Sequence, residues 1–171
     1  DGSILWVRCG LQQRVAYHGR CVFAGDDMRI EVPEQKQQVH EMVIPIRWGD
    51  MDTMGHVNNT VYFRYMESGR IAWLDKLGVG PNPTGEGIVI INAFCNFLHQ
   101  LEYPGEVLVR TYASNLKRSS LDTWVTMARV DAPDRVCANG GATIVWVDFP
   151  RQKSAPFPPR VREQLRDAGV A

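Results

Sequence analysis

Within residues 50–59 the chain carries two carboxylates, a glycine, a histidine and an asparagine pair: Asp50, Asp52, Gly55, His56, Asn58 and Asn59. They stand immediately before a stretch with helical periodicity. Carboxylates beside a helix N-terminus lie where unpaired backbone N–H groups can stabilise a developing oxyanion. Residues of these types in this order suit acyl transfer. An ionised aspartate would attack a polarised carbonyl and form a mixed anhydride, or would activate water as a general base.

Each residue also has a plainer reading. Asp52 could simply cap N–H groups of its own turn. Asp50 points the same way at strand period and reads as a brace for the loop or a partner for Arg47. Gly55 is a backbone requirement, supplying a positive φ or room for close approach. His56 would hold the carbonyl, orient Asp52 or fix the loop. Asn58 and Asn59 both suit a helix N-cap, and one is expected to cap while the other faces the pocket.

The elements that must position these groups follow from periodicity. Val39–Trp48 reads as a strand, with Pro45 confining it to an edge or a bulge. At 100° per residue, Tyr62, Met66, Gly69, Trp73 and Leu77 share one stripe, flanked by Phe63, Tyr65, Ala72 and Leu74. Glu67 falls on the opposite, polar side. Gly69 costs about 1 kcal/mol in helix propensity, and close approach to a strand would offset it. Gly78 ends the helix as the first residue past its cap, and residues 80–85 form a loop.

Beyond the loop, 87–98, 107–116, 121–130 and 136–149 read as strands, with turns at 103–106, 117–120 and 132–134. Such short connections make the sheet mostly antiparallel. Val89, Ile91, Ala93, Cys95 and Phe97 are expected on one face of the first run. Gly140 and Gly141 mark a bulge or a crowded crossing in the last. Residues 156–159 are a proline-rich linker, and 161–168 a short surface helix. Several strands are apolar on both faces, and one helix covers only one of them. A second copy of the chain is the simplest cover for part of the other.

At 171 residues the chain has room for one domain with a proper core. The expected organisation is an N-terminal extension over 1–35, a domain over 36–160 and a tail helix over 161–171, with the native domain beginning near Met28. With 19 basic and 19 acidic residues, nothing global points to nucleic acid or an anionic membrane. No apolar run approaches the roughly 20 residues that span a bilayer, and no secretory signal is evident. Cys9, Cys21, Cys95 and Cys137 form no C-x-x-C pair and read as free thiols in a reducing cytoplasm. G-x-S-x-G is absent, and His18, His40, His56 and His99 are too scattered for a zinc site.

The string Gly49-Asp50-Met51-Asp52-Thr53-Met54-Gly55-His56-Val57-Asn58-Asn59, with Tyr62 one helical turn on, resembles the hot-dog-fold acyl-CoA thioesterases of the 4-hydroxybenzoyl-CoA thioesterase branch. The likeness extends over about residues 39–160. It implies an α+β domain, a mostly antiparallel sheet wrapped around one long central helix. It further implies homodimers or homotetramers with active sites at the dimer interface. The catalytic aspartate would be Asp52, and the oxyanion donors backbone N–H groups of about Val57–Asn59. The benzoyl-CoA enzyme has a tyrosine where this chain has Asn59, which leaves a backbone donor intact but puts an aromatic substrate in doubt.

On this reading the chain hydrolyses acyl-CoA to free acid and coenzyme A, with no cofactor because coenzyme A belongs to the substrate. The acyl chain would run beside Tyr62, Tyr65 and Met66. Lys117, Arg118, Ser119 and Ser120 would meet the phosphates of coenzyme A, or form a plain solvated turn, with Arg160 and Arg162 as weaker candidates. Glu67 enters because another branch of the fold carries its catalytic carboxylate on the helix. The rival readings are a non-catalytic acyl-CoA binding or sensing module and a hot-dog hydratase or dehydratase.

Overall fold

The computed structural model describes residues 14–17, 20–23, 29–80, 82 and 84–170. It divides into two compact units, with the boundary between Glu31 and Val32. In the first, β1 (Arg14–Tyr17) pairs antiparallel with β2 (Arg20–Phe23). No period in the sequence announces this hairpin, because four-residue strands are too short to establish one. The expected start near Met28 lies outside the described residues, as do Cys9, His18, Pro81, Pro83 and the thiol of Cys21. Cys95 and Cys137 are free thiols.

The second unit runs β3 (Gln37–Pro45), a 3₁₀ turn (Trp48–Asp50), α1 (Asn59–Lys76), β4 (Glu86–Phe97), β5 (Glu106–Ser114), β6 (Ser120–Arg129), β7 (Ala132–Asp148), β8 (Lys153–Ser154) and α2 (Pro159–Asp167). The sheet order is β3-β5-β6-β7-β4, with β8 added to β7, and every pairing is antiparallel. Helix α1 packs on β5 and also on β3 and β4, the two edges of that order. A sheet whose two edges meet one helix is curled around it. The architecture is therefore the α+β arrangement that the family resemblance implied.

The apolar stripe of α1 is where the sequence placed it. Tyr62, Tyr65, Met66, Gly69 and Trp73 are buried. The first half of the helix packs among Val107, Val109, Val125, Met127 and Ala138. Trp73, in its second half, joins Ala113, Leu121, Ile144, Trp146 and Phe157. Gly69 lies between these two groups. A Cβ there would stand 3.0 Å from Thr111 Oγ1 and 3.1 Å from Val109 Cγ1, so the helix does approach β5 closely. Leu77 is the C-cap, and Gly78 follows it with φ +69°.

Four expectations change in the structure. The first strand stops at Pro45 instead of Trp48, because the Arg47 N–H is taken at 2.9 Å by the Asp50 carboxylate instead of a neighbouring strand. The register of β4 slips between Ile90 and Asn92, so Ile91 is an extra residue, 62% exposed, and the alternating face changes over there. Ile88 and Cys95, an odd number of residues apart, consequently both pack toward the core.

The turn between β6 and β7 is Val130-Asp131, and Pro133 falls inside β7. The register runs from Arg129↔Ala132 to Ala128↔Val136, so Pro133 sits in the irregular stretch where its missing N–H costs no ladder bond. Finally, the tail helix is more than a surface element: Val161 and Leu165 are buried and belong to the Trp73 cluster.

Candidate active site

Residues 51–57 form a miniature hairpin on the way into α1. Met51 bridges Val57, the Asp52 N–H donates to the His56 carbonyl at 2.7 Å, and the Gly55 N–H donates to the Asp52 carbonyl at 3.1 Å. The Asp52 side chain closes the loop from inside: Oδ1 accepts the Met54 N–H at 2.8 Å and the His56 N–H at 3.3 Å. Asp52 is therefore a turn cap, as its plainer reading held. Its second oxygen, Oδ2, has no donor among the described residues, so capping leaves half of the carboxylate available. Gly55 adopts φ +79° with nothing within 4 Å of a hypothetical Cβ. The glycine is thus required by the dihedral angle and not by crowding.

The start of the helix selects one donor out of the three expected. The Val57 N–H donates to the Leu101 carbonyl at 2.8 Å and the Asn58 N–H to the Asp50 carbonyl at 2.9 Å. Asn58 is the N-cap: its Oδ1 accepts the Thr60 N–H at 3.0 Å, and its carbonyl accepts the Val61 N–H at 2.9 Å. The Asn59 N–H is left as the first-turn donor without an acceptor among the described residues. The N–H groups of Val57 and Asn58 are thus already consumed by backbone bonds to Leu101 and Asp50. The Asn59 side chain is exposed.

Asp50 braces this unit. Its Oδ2 accepts both the Arg47 N–H and the Tyr65 hydroxyl, each at 2.9 Å, which ties the loop to the buried face of α1. Burial, and after it the hydrogen bond to Asp50, pushes the Tyr65 phenol well above its ordinary pKa and keeps it the donor. A hydrogen bond to a charged acceptor contributes about 1.5–3 kcal/mol. Tyr65→Phe is accordingly expected to lower unfolding stability by about 2 kcal/mol in urea titrations. An unchanged midpoint and slope would show that this bond holds nothing.

The geometry finds its context in known proteins. The model of the thioesterase-like superfamily matches residues 46–165, more than half of the chain. The chain belongs to that superfamily. A candidate thioesterase from Pseudomonas aeruginosa, the PA2801 protein, is 36% identical with a TM-score of 0.70, covering 75% of this chain and 99% of its own. A Thermus thermophilus thioesterase, solved in complex with coenzyme A and zinc, is 26% identical with a TM-score of 0.66 over 77% of this chain and 95% of its own. The chloroplastic acyl-acyl carrier protein thioesterase ATL2 of Arabidopsis thaliana is 26% identical over 112 residues. That match covers 64% of this chain but only 59% of the plant protein. The fold expected from the resemblance, the hot-dog fold, is the one present.

In this thioesterase-like chain, several residues expected to touch substrate serve the core instead. Val57, Tyr62, Tyr65 and Met66 are 4%, 4%, 3% and 2% exposed. The Tyr62 oxygen accepts the Leu101 N–H at 3.2 Å, and its ring meets Phe97 edge-on at 5.0 Å. Burial pushes the Tyr62 phenol up to about 12. These side chains form packed wall, because the helix stripe that the sequence marks as apolar is the same stripe the sheet closes over. His56 turns its Nε2 toward Glu102 Oε1 at 3.8 Å, and its backbone serves Asp52, which favours the loop-fixing role.

The basic tip is not brought to Asp52 within one chain. The Asp52 loop adjoins the Glu106 end of β5 through the Ile46 N–H and Gly105 carbonyl at 2.9 Å, whereas Lys117–Ser120 follows the Ser114 end. At about 3.3 Å per residue, β5 spans about 26 Å between these two ends. The tip is also a docking corner for the C-terminal segment. The carbonyls of Lys117, Arg118 and Ser119 accept from Arg162 Nη1 at 2.7 Å, the Phe157 N–H at 3.0 Å and the Trp146 N–H at 2.8 Å. Glu67 is exposed, on the polar side of α1 as expected.

The residues that sequence reasoning missed lie in 98–105, where the sequence marks only a strand end at Leu98 and a turn from Tyr103. Leu101 holds the helix start through both its carbonyl and its N–H. No spacing rule could have paired residues that are 39 and 44 positions away from it.

Proposed function

We propose that the chain hydrolyses acyl-CoA thioesters to free acid and coenzyme A. The observation that carries this reading is a half-committed carboxylate and an unpaired helix N–H within one bonded loop. Asp52 keeps Oδ2 for attack or for activating water, and the Asn59 N–H is the donor that would meet the thioester oxygen. Attack, proton handling and oxyanion stabilisation all have groups within the chain, so the proposed reaction requires no cofactor. Trp48 and Met54, 78% and 75% exposed beside this loop, offer apolar contact to an acyl group. The coenzyme A complex of the Thermus relative favours a CoA thioester, and the plant relative makes an acyl carrier protein thioester the arm to compare.

We further place the enzyme in the reducing cytoplasm, supported by the free Cys95 and Cys137. It would work as a homodimer or homotetramer. Edge strand β4 exposes Ile90 and Ile91 (41% and 62%), and α1 exposes Phe63 and Ile71 (39% and 50%). The basic Lys117–Ser120 tip, distant from Asp52 in its own chain, would then reach coenzyme A only across such an interface.

The test is release of free thiol from short, long and aromatic acyl-CoAs and from acyl carrier protein thioesters, run beside sedimentation at assay concentrations. Turnover of CoA esters by an oligomer is expected. Tight binding without turnover across the whole panel would establish the sensing module instead, and an active monomer would remove the interface from the site.

A further inference from the structure

We infer that Arg129, at the end of β6, is a positioning residue for the Asp52 site, acting through residues 98–105. The inference rests on the thioesterase reading for its kinetic consequence but on geometry for the brace itself. Among the described residues, the hydrogen bonds and the ion pair that reach residues 46–58 from outside 46–76 come from this segment. The Leu101 carbonyl takes the Val57 N–H at 2.8 Å, the Leu101 N–H is held by the Tyr62 oxygen at 3.2 Å, and the Gly105 carbonyl takes the Ile46 N–H at 2.9 Å. Glu102 faces His56 at 3.8 Å.

The segment in turn needs anchors, because it contains no strand pairing of its own. At one end the Leu98 and His99 N–H groups share the Cys137 carbonyl, at 2.9 and 2.8 Å. Its middle is held by the Arg129 guanidinium. Nη1 donates to the Glu102 carbonyl at 2.9 Å and Nη2 to the Pro104 carbonyl at 3.4 Å. Asp131 aligns that fork, accepting from Nε and Nη2 at 2.8 Å each. The planar guanidinium makes these four bonds from three nitrogens spread over one fork, whereas an ammonium has three donors on a single atom.

Gly105 completes the fit. A Cβ at that position would lie 2.7 Å from Nη1, so the guanidinium lies against bare backbone. The path from Arg129 to the chemistry is therefore continuous: guanidinium, carbonyls of 102 and 104, Leu101, Val57, and the helix start that carries the Asn59 N–H. A donor that acts on the developing oxyanion loses effect in turnover more than in ground-state binding when it is misaimed.

Three variants test this: Arg129→Ala, Arg129→Lys, and Gly105→Ala, which crowds the guanidinium without deleting it. Arg110→Ala is the control, since Arg110 likewise pairs with a carboxylate (Glu41, 2.9 Å) and a carbonyl (Pro133, 3.2 Å) but not with this segment. Two readouts are needed, steady-state thioester hydrolysis and amide hydrogen exchange at Val57 and Ile46. Arg129→Ala is expected to lower kcat by about 10- to 100-fold with KM within about two-fold, and to speed exchange at both amides. Arg129→Lys recovers part of the loss, Gly105→Ala shows the same pattern more weakly, and Arg110→Ala shows neither effect.

Unchanged exchange at Val57 in Arg129→Ala overturns the brace. Faster exchange with unchanged kcat, or a kcat loss that Arg110→Ala reproduces, overturns the positioning role. Should the wild type hydrolyse no thioester at all, the functional reading fails, while the exchange measurement still decides whether Arg129 holds the loop.

Discussion

Asp52→Asn is expected to lower kcat for thioester hydrolysis by about 10²- to 10⁴-fold, the range in which a positioned acid or base contributes. That corresponds to about 3–5.5 kcal/mol of transition-state stabilisation. The substitution is informative because the proposed catalytic role of Asp52 and its turn-capping role share one carboxylate. Oδ1 holds the Met54 and His56 N–H groups at 2.8 and 3.3 Å, and the carboxamide oxygen of asparagine can accept both bonds unchanged. Only the negative charge and the basicity of Oδ2 disappear. The thermal midpoint should therefore stay close to that of the wild type while turnover collapses. Asp52→Ala, which removes the cap as well, should lose both. If Asp52→Asn keeps full activity, the aspartate is a turn cap alone. Glu67→Gln then becomes the variant to examine, although its exposed position on α1 speaks against it.

Gly140→Ala is expected to destabilise the sheet by about 3 kcal/mol, at the upper end of what overpacking costs. The reason is where the added methyl would go. It would stand 2.3 Å from the Phe94 carbonyl oxygen and 3.1 Å from Cys95 Cα on β4, with Met66 Cε at 3.1 Å. Met66 can swing aside, but the carbonyl belongs to a paired strand, with Gly140 opposite Cys95 in the register. Relief requires β4 to move away from β7 at the place where α1 packs. For a unit of this size the midpoint should fall by roughly 10 °C in a thermal melt. A melt within a degree or two of wild type would show that β4 gives way freely and is no rigid edge. Gly141, one residue on, is crowded on the other face, 2.6 Å from the Trp124 ring. The glycine pair thus serves two separate close approaches, one on each face of β7.

Much of this was legible in the residues because it rests on local chemistry. The stripe from Tyr62 to Trp73 repeats at helical spacing, so the helix and its buried face could be read directly. Asn58 before that stripe and Gly78 after it are the residue types that cap helices, and they do so here. Gly55 betrayed a backbone angle, and the pairing of two acids with a helix start suggested acyl chemistry. Strand bounds were less secure where a side chain competed with the ladder, as Asp50 does for the Arg47 N–H. Alternation along β4 failed because a single extra residue at Ile91 exchanges its faces, and nothing in composition marks a bulge there.

The sequence by itself therefore determined the family, the helix, the antiparallel sheet and the identity of the loop that carries Asp52, since each depends on residue type and short-range spacing. Tertiary structure decided which of those groups remain free to act. Bonds to Leu101 and Asp50 consume the N–H groups of Val57 and Asn58, leaving Asn59. The wrapped sheet turns Tyr62, Tyr65 and Met66 from a candidate acyl wall into core, and the length of β5 separates the basic tip from Asp52. A backbone donor is spent or spared by a partner dozens of residues away, and only the folded chain brings that partner into place.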